Sequence, residues 1–148
     1  MTYNPDLEDA LEQETMALFA GLDWETVDAL HEVHSSEAAT ARQPYLGREN
    51  RGEVVLRPRL RAALEALNPD LPAEALQLAI EELTRDRSAM SLVAANREIY
   101  QLLKDGVKVE TSRQDASADG DPESEPQVYT VRVIDWNQPE TNDFLLVS

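Results

Sequence analysis

The chain has 148 residues, with 29 acidic against 13 basic side chains, a net charge of −16 and no cysteine. This length favours one domain whose core is built mainly from aliphatic residues, because only 5% of the residues are aromatic. The lack of cysteine excludes a disulfide framework, a thiolate zinc site and a cysteine nucleophile. The sequence shows no secretion signal and no membrane-spanning apolar run, so we expect a cytoplasmic protein with no membrane partner.

Charge is distributed unevenly along the chain. Residues 1–40 carry ten acids and neither Lys nor Arg. Residues 41–70 carry four acids and six arginines, which are Arg42, Arg48, Arg51, Arg57, Arg59 and Arg61. Because phosphate backbones attract clustered cations, these arginines are the predicted DNA-binding residues. A solvated surface that offsets the acidic N-terminus is the alternative interpretation.

Apolar periodicity predicts four helices. The first begins at Asn4-Pro5, ends near Trp24, and carries an apolar face of Leu7, Leu11, Leu18 and Leu22. The other three are predicted over 55–67, 73–83 and 91–104, with Gly106 as the stop signal of the last one. Their short connections predict that these three helices pack together.

The second half of the chain predicts strands over 107–111, 128–134 and 144–147. Segments 34–52 and 112–126 are predicted to be flexible connections, because the first is weakly patterned and the second is acidic and proline-punctuated. The expected fold class is α+β in a single domain: an N-terminal helix, a cluster of about three helices, and a small, mostly antiparallel sheet. An apolar strand directly before Ser148 also favours a piece of a longer protein, because an open apolar edge is costly.

Three separated stretches carry more specific motifs. The first, 56–72, contains Leu-Arg-Pro-Arg-Leu-Arg and Leu-Asn-Pro-Asp-Leu-Pro; the second is 92–109; the third, 131–147, contains Ile134-Asp135-Trp136 and Asn142-Asp143-Phe144. These stretches resemble the N-terminal region of the restriction subunit of type I restriction–modification enzymes. The first helix resembles the same family from Glu12 to Trp24, although Asp23 stands where the family usually has Gly.

The resemblance implies the start of a nuclease domain of the Asp…Glu-x-Lys type, with a restriction-endonuclease-like fold, ahead of an ATP-driven DNA motor. It implies Mg²⁺ and ATP as cofactors of the full-length protein, and neither for this chain alone. It implies DNA and the modification and specificity subunits of the same system as partners. Glu12 aligns with a first-helix glutamate that approaches the metal in such nucleases, and is therefore the expected catalytic and metal-binding residue.

We expect this chain to be catalytically inactive by itself. The family's Asp and Glu-x-Lys are expected beyond Ser148, so Glu12 would bind metal only together with those downstream residues. The nucleotide-binding motif G-x-x-x-x-G-K-[ST] does not occur in the sequence.

Other interpretations stay open. The acidic ends of the chain also suit a stand-alone interaction module or DNA mimic that binds a basic partner. His31 and His34 stand three residues apart beside Glu32, a spacing that suits metal ligands on a helix, but no further ligand converges on them in the sequence. Glu12 is equally compatible with a solvated helix acid.

Overall fold

The computed structural model describes residues 5–111 and 126–148, and these residues form an α+β fold, which confirms the predicted class. The helices are α1 (Pro5–Ala20), α2 (Arg57–Leu67), α3 (Ala73–Leu83) and α4 (Leu92–Asp105). The strands are β1 (Glu25–Val27), β2 (Val107–Thr111), β3 (Gln127–Val131) and β4 (Leu145–Val147). None of the helices in the described ranges is long and apolar enough to cross a membrane.

The strands form two separate two-stranded sheets. The chain divides into two compact units, one comprising the residues up to Leu56 together with Asp143–Ser148, and the other comprising Arg57–Asn142. In the first unit β1 and β4 pair in parallel, and in the second β2 and β3 pair antiparallel. The last strand, β4, therefore pairs with β1, which follows α1. Strand β1 has only three residues, too few for an alternating strand pattern to be visible in the sequence.

The second unit contains the buried core. Helix α3 supplies half of it, and α2, β2 and β3 supply the rest; the buried apolar residues are Leu64, Ala75, Leu76, Ala79, Ile80, Val107, Val109 and Val131. Helix α4 has no buried residue and packs against this core through Leu102. It ends at Gly106, whose φ of 82° requires a residue without a side chain, as its position in the sequence predicts.

The first unit is held by aromatic packing and by the β1–β4 ladder. Trp24 stacks on Phe144 with ring centroids 4.8 Å apart, and it meets Phe19 edge-on at the same distance. The predicted apolar face of the first helix faces solvent, because Leu7, Leu11 and Leu18 on α1 and Leu22 just beyond its end are 61–68% exposed. The predicted helix is thus confirmed, whereas its leucine face does not build a core among the described residues.

The two predicted connections differ in what the structure describes. Segment 34–52 contains a single 3₁₀ turn at Ser36–Ala38 and an isolated bridge between Thr40 and Gln43. Segment 112–126 lies outside the described residues except for Pro126. The flexibility of both segments stays a prediction.

Candidate functional site

Glu12 lies on the exposed surface of α1, inside the first unit. It lines a cavity of about 410 Å³ together with Glu8, one helical turn earlier, and with the last three residues of the chain, Leu146, Val147 and Ser148. The spacing of four residues places both carboxylates on one side of α1, next to the end of β4. Carboxylate oxygens are the protein ligands that Mg²⁺ prefers.

A complete metal site is not assembled in the part of the chain that the structure describes. No group of three or more His, Asp or Glu side chains there could hold a metal ion. Glu12 and Glu8 would supply two carboxylates at most, so the described residues alone do not fit a catalytic Mg²⁺, and we derive no chemical step through one.

Among the residues that the structure describes, His31 and His34 also lack the further ligands that a metal site needs. His31 is exposed, and the half-buried His34 has a buried Nδ1 atom without a hydrogen-bond partner. Glu32 is the nearby carboxylate, but it is bound to Arg48. The histidine metal site therefore has no support among residues 5–111 and 126–148.

The six arginines of the predicted DNA-binding region do not lie in one unit. Arg42, Arg48 and Arg51 belong to the first unit, and Arg57, Arg59 and Arg61 belong to α2 of the second. Arg42, Arg51 and Arg57 are exposed, whereas the other three are partly buried. The sequence alone could not separate these two groups, because they are continuous along the chain.

Arg48 serves as an internal tie in the first unit. Its Nε donates to the Glu32 carboxylate at 3.0 Å, its Nη2 bonds the second oxygen of the same group, and its Nη1 donates to the Glu53 carbonyl at 3.1 Å. The Glu32 side chain is only 4% exposed. The hydrogen bonds from Arg48 hold the pKa of Glu32 below its ordinary value, and the carboxylate raises the pKa of Arg48. This guanidinium is already occupied and is poorly placed to bind a phosphate.

Arg57 and Arg61 lie one turn apart at the start of α2 and line a cavity of about 320 Å³ with Gln77 and Ile80. The Arg61 guanidinium bonds the side-chain oxygen of Gln77, whose amide nitrogen donates to Glu81 at 2.8 Å. This chain of bonds fixes the orientation of Arg61 against α3. Two cations one turn apart near the start of a helix, where the helix dipole also favours negative charge, form a surface that suits an anion.

The motif around Ile134-Asp135-Trp136 builds a turn. The Asp135 carboxylate accepts hydrogen bonds from the backbone N–H groups of Asn137 and Gln138 at 3.0 Å and from Arg132 at 2.8 Å. Asn142 closes the same turn, because its side chain bonds both the N–H and the C=O of Asp135. The bonds to the carboxylate, led by that from the Gln138 N–H, lower the pKa of Asp135.

Asn68 makes a contact that the sequence analysis missed. Its side-chain amide accepts from the Arg132 N–H and donates to the Arg132 and Leu64 carbonyls, all at 2.8 Å. The amide thus acts as a short partner strand for the residue directly after β3. Strand β3 ends at Val131 rather than at 134, because Val131 pairs with Val107, the first residue of β2. Asn68-Pro69 in the sequence indicated a helix end, but nothing indicated a partner 64 residues away.

Direct comparison identifies the class of protein to which these motifs belong. The sequence matches the family described as "Type I restriction enzyme R protein N terminus (HSDR_N)" over residues 6–148, and the chain belongs to this family. It is therefore an N-terminal region of a type I restriction enzyme R subunit.

A characterised relative shows the same relationship. The chain is 27% identical over 141 residues to the "Type I restriction enzyme HindI endonuclease subunit" of Haemophilus influenzae. The matched part covers 95% of this chain but only 12% of that protein. No solved structure matches the chain.

Proposed function

We propose that the chain contributes to the cleavage of foreign DNA as the first part of the DNA-cutting domain of a type I restriction subunit, and that it cannot cut DNA by itself. The observation that carries this proposal is the family match over residues 6–148, which includes both α1 and β4. The relative's printed name, an endonuclease subunit, supports the same activity.

Within this function Glu12 would supply one carboxylate of a Mg²⁺ site. The support is its place on α1 beside the end of β4, in a cavity that still has room for further ligands. A Mg²⁺ ion held there together with further ligands would supply Lewis-acid chemistry for phosphodiester hydrolysis. The remaining ligands would come from residues other than those described.

The exposed arginines would contact the DNA backbone. Arg57 is the best placed of them, because it is exposed at the start of α2, and the partly buried Arg61 lines the same cavity. Arg48 is assigned a structural role instead, because Glu32 occupies it. ATP would be bound elsewhere in the whole restriction protein, because this sequence has no phosphate-binding loop of the G-x-x-x-x-G-K-[ST] type. The modification and specificity subunits would also be partners of the whole protein.

The deciding experiment is to read the coding frame past codon 148 and to assay the protein that it encodes. We expect an Arg-Pro-Asp strand and a Glu-x-Lys strand, and Mg²⁺-dependent DNA cleavage that Glu12→Gln lowers at least about tenfold, as loss of a metal-site group does. Glu14→Gln is the matched control, because Glu14 is exposed on the same helix but does not line the cavity. Wild-type cleavage by the Glu12 variant would remove this residue from the metal site.

The 148-residue chain gives a second test of the same proposal. Incubated with plasmid and Mg²⁺, it should leave the DNA intact. Specific cutting that Glu12→Ala abolishes would show that the chain is a complete nuclease and would overturn the predicted incompleteness.

A second candidate function is an acidic interaction surface for a basic partner. The observation in its favour is that Glu8, Asp9, Glu12 and Glu14 are all exposed on α1, in a stretch of forty residues without Lys or Arg. Binding to a basic protein that weakens steeply with salt would support it, and salt-insensitive binding or none would remove it.

A further inference from the structure

Trp136 is an exposed tryptophan beside a cavity in the second unit. The indole is 60% exposed, whereas tryptophan is usually one of the more buried residues of a protein. The cavity has a volume of about 350 Å³, within the range of small-molecule sites, and is bordered by the end of α4, the end of β3 and the turn that carries Trp136. Its polar lining includes Lys104 and Arg132.

The turn that carries Trp136 is fixed in place by bonds described above. The Asp135 carboxylate holds the N–H groups of the two residues after Trp136, and Asn142 bonds the backbone of Asp135 on both sides. These bonds fix the backbone from which the Trp136 side chain projects. A platform of this kind binds a flat ligand with little loss of its own freedom.

The charges around the cavity make it one of the less negative places on this chain. The lining contains two cations, Lys104 and Arg132, and two acids, Asp105 and Asp135. Its net charge is therefore zero, whereas that of the whole chain is −16. The Asp135 oxygens are occupied by two backbone N–H groups and one Arg132 nitrogen. The Arg132 side chain as a whole is 56% exposed. An aromatic face beside two exposed cations is the usual combination in sites that stack a base and hold its phosphate.

We propose that this cavity is a nucleotide-binding site, in which a nucleobase stacks on Trp136 while Lys104 and Arg132 bind the attached phosphate. The choice of a nucleotide as ligand rests on the proposed role in DNA restriction, whereas the site itself rests on the cavity and its lining. A base in the stack of a duplex cannot reach a side chain in this way, so the ligand is an unpaired nucleotide, either in a DNA strand or free.

The test measures binding of a fluorescein-labelled single strand of about eight thymidines by fluorescence anisotropy at low salt. We expect Trp136→Ala to weaken binding about tenfold or more, and Trp136→Phe to retain most of it. Arg132→Gln and Lys104→Gln should each weaken binding of the strand. Tyr45→Ala and Lys108→Gln are the matched controls: both side chains are exposed and neither lines the cavity, so both variants should bind normally.

Two further arms separate the possible ligands. Competition by thymidine monophosphate that equals competition by the unlabelled strand assigns the site to free nucleotides, and much weaker competition assigns it to a strand; both outcomes support the site. In a Trp24→Phe variant the only remaining tryptophan is Trp136, so its emission should change on binding. Tighter binding of blunt duplex than of single strand, or no binding of either, would overturn the proposal.

The outcome also distinguishes this site from the proposed function. Strand binding that Trp136→Ala leaves unchanged removes the site but leaves the restriction role intact. Binding that requires Trp136 supports the site even if Glu12 proves unnecessary for cleavage.

Discussion

The side chain of Asn68 provides the sharpest test of the fold. It is 8% exposed and makes three hydrogen bonds of 2.8 Å, two of them to the backbone of Arg132 and one to that of Leu64. Replacing Asn68 by Ala removes all three bonds and takes this partner from the N–H and C=O of Arg132, whereas the Leu64 carbonyl keeps its bond from the backbone N–H of residue 68. A net worth of about 0.5–1.5 kcal/mol for each bond gives an expected loss of about 2–4 kcal/mol in the free energy of unfolding.

Urea denaturation followed by circular dichroism measures this loss. With an m-value of about 2 kcal/mol per molar urea, the midpoint of Asn68→Ala should fall by about 1–2 M. Asn68→Asp should be at least as destabilising, because a carboxylate still accepts from the Arg132 N–H but faces two carbonyl oxygens without a proton to donate.

The matched control is Asn96→Ala, because Asn96 is exposed on α4. This variant should stay within about 0.5 kcal/mol of the wild type. If Asn68→Ala matched that control, the reasoning that the Asn68 amide replaces a partner strand would be refuted.

Three other predictions concern an ion pair, a glycine and a phosphate contact. Glu32→Gln should lower the free energy of unfolding by about 1–3 kcal/mol at pH 7. Because the folded-state pKa of Glu32 is lowered, the stabilisation by the carboxylate is present above the ordinary value of 4.5 and is lost as the pH falls through the folded-state pKa. The urea midpoints of variant and wild type should therefore converge in acid. Gly106→Ala should lower the free energy of unfolding by about 1–3 kcal/mol, since φ is +82° and the new Cβ would lie 2.8 Å from a carbonyl oxygen of β3. Gly21→Ala, at a residue without a positive φ, should cost less, and thermal melts of both variants measure the difference. Arg57→Gln should reduce both the affinity for DNA and the salt slope of binding, by about one unit, with Arg48→Gln as the control that reduces stability instead; equal DNA binding by wild type and Arg57→Gln would remove Arg57 from the interface.

Local signals in the sequence were sufficient for much of the second unit. The bounds of α3 agree with the prediction at both ends, and those of α2 and α4 agree within one or two residues. Helical spacing, prolines at helix starts and Gly106 at a helix end act over a few neighbouring residues, and they therefore remain visible in a linear pattern. Strands β2 and β3 were also predicted, and β2 alternates between buried and exposed residues along its length.

Contacts between distant residues account for what was missed. The pairing of β1 with β4, the Glu32–Arg48 tie and the Asn68 bonds to Arg132 all join segments that show no pattern linking them. The exposed leucines of α1 show the opposite case, since a regular apolar spacing does not say whether the apolar face is covered. The candidate site also needed both sources. Glu12 was proposed from the resemblance to the family, whereas only the structure shows that the arginines belong to two units.

The parallel pairing of β1 with β4 sets an order for folding during synthesis. The second unit is continuous from Arg57 to Asn142, so all of its contacts become available as soon as that stretch has left the ribosome. The first unit is interrupted by it: the β1–β4 ladder cannot form until Leu145–Val147 has been made. Helix α1 is therefore translated well before β1, the strand that it contacts, can pair with β4.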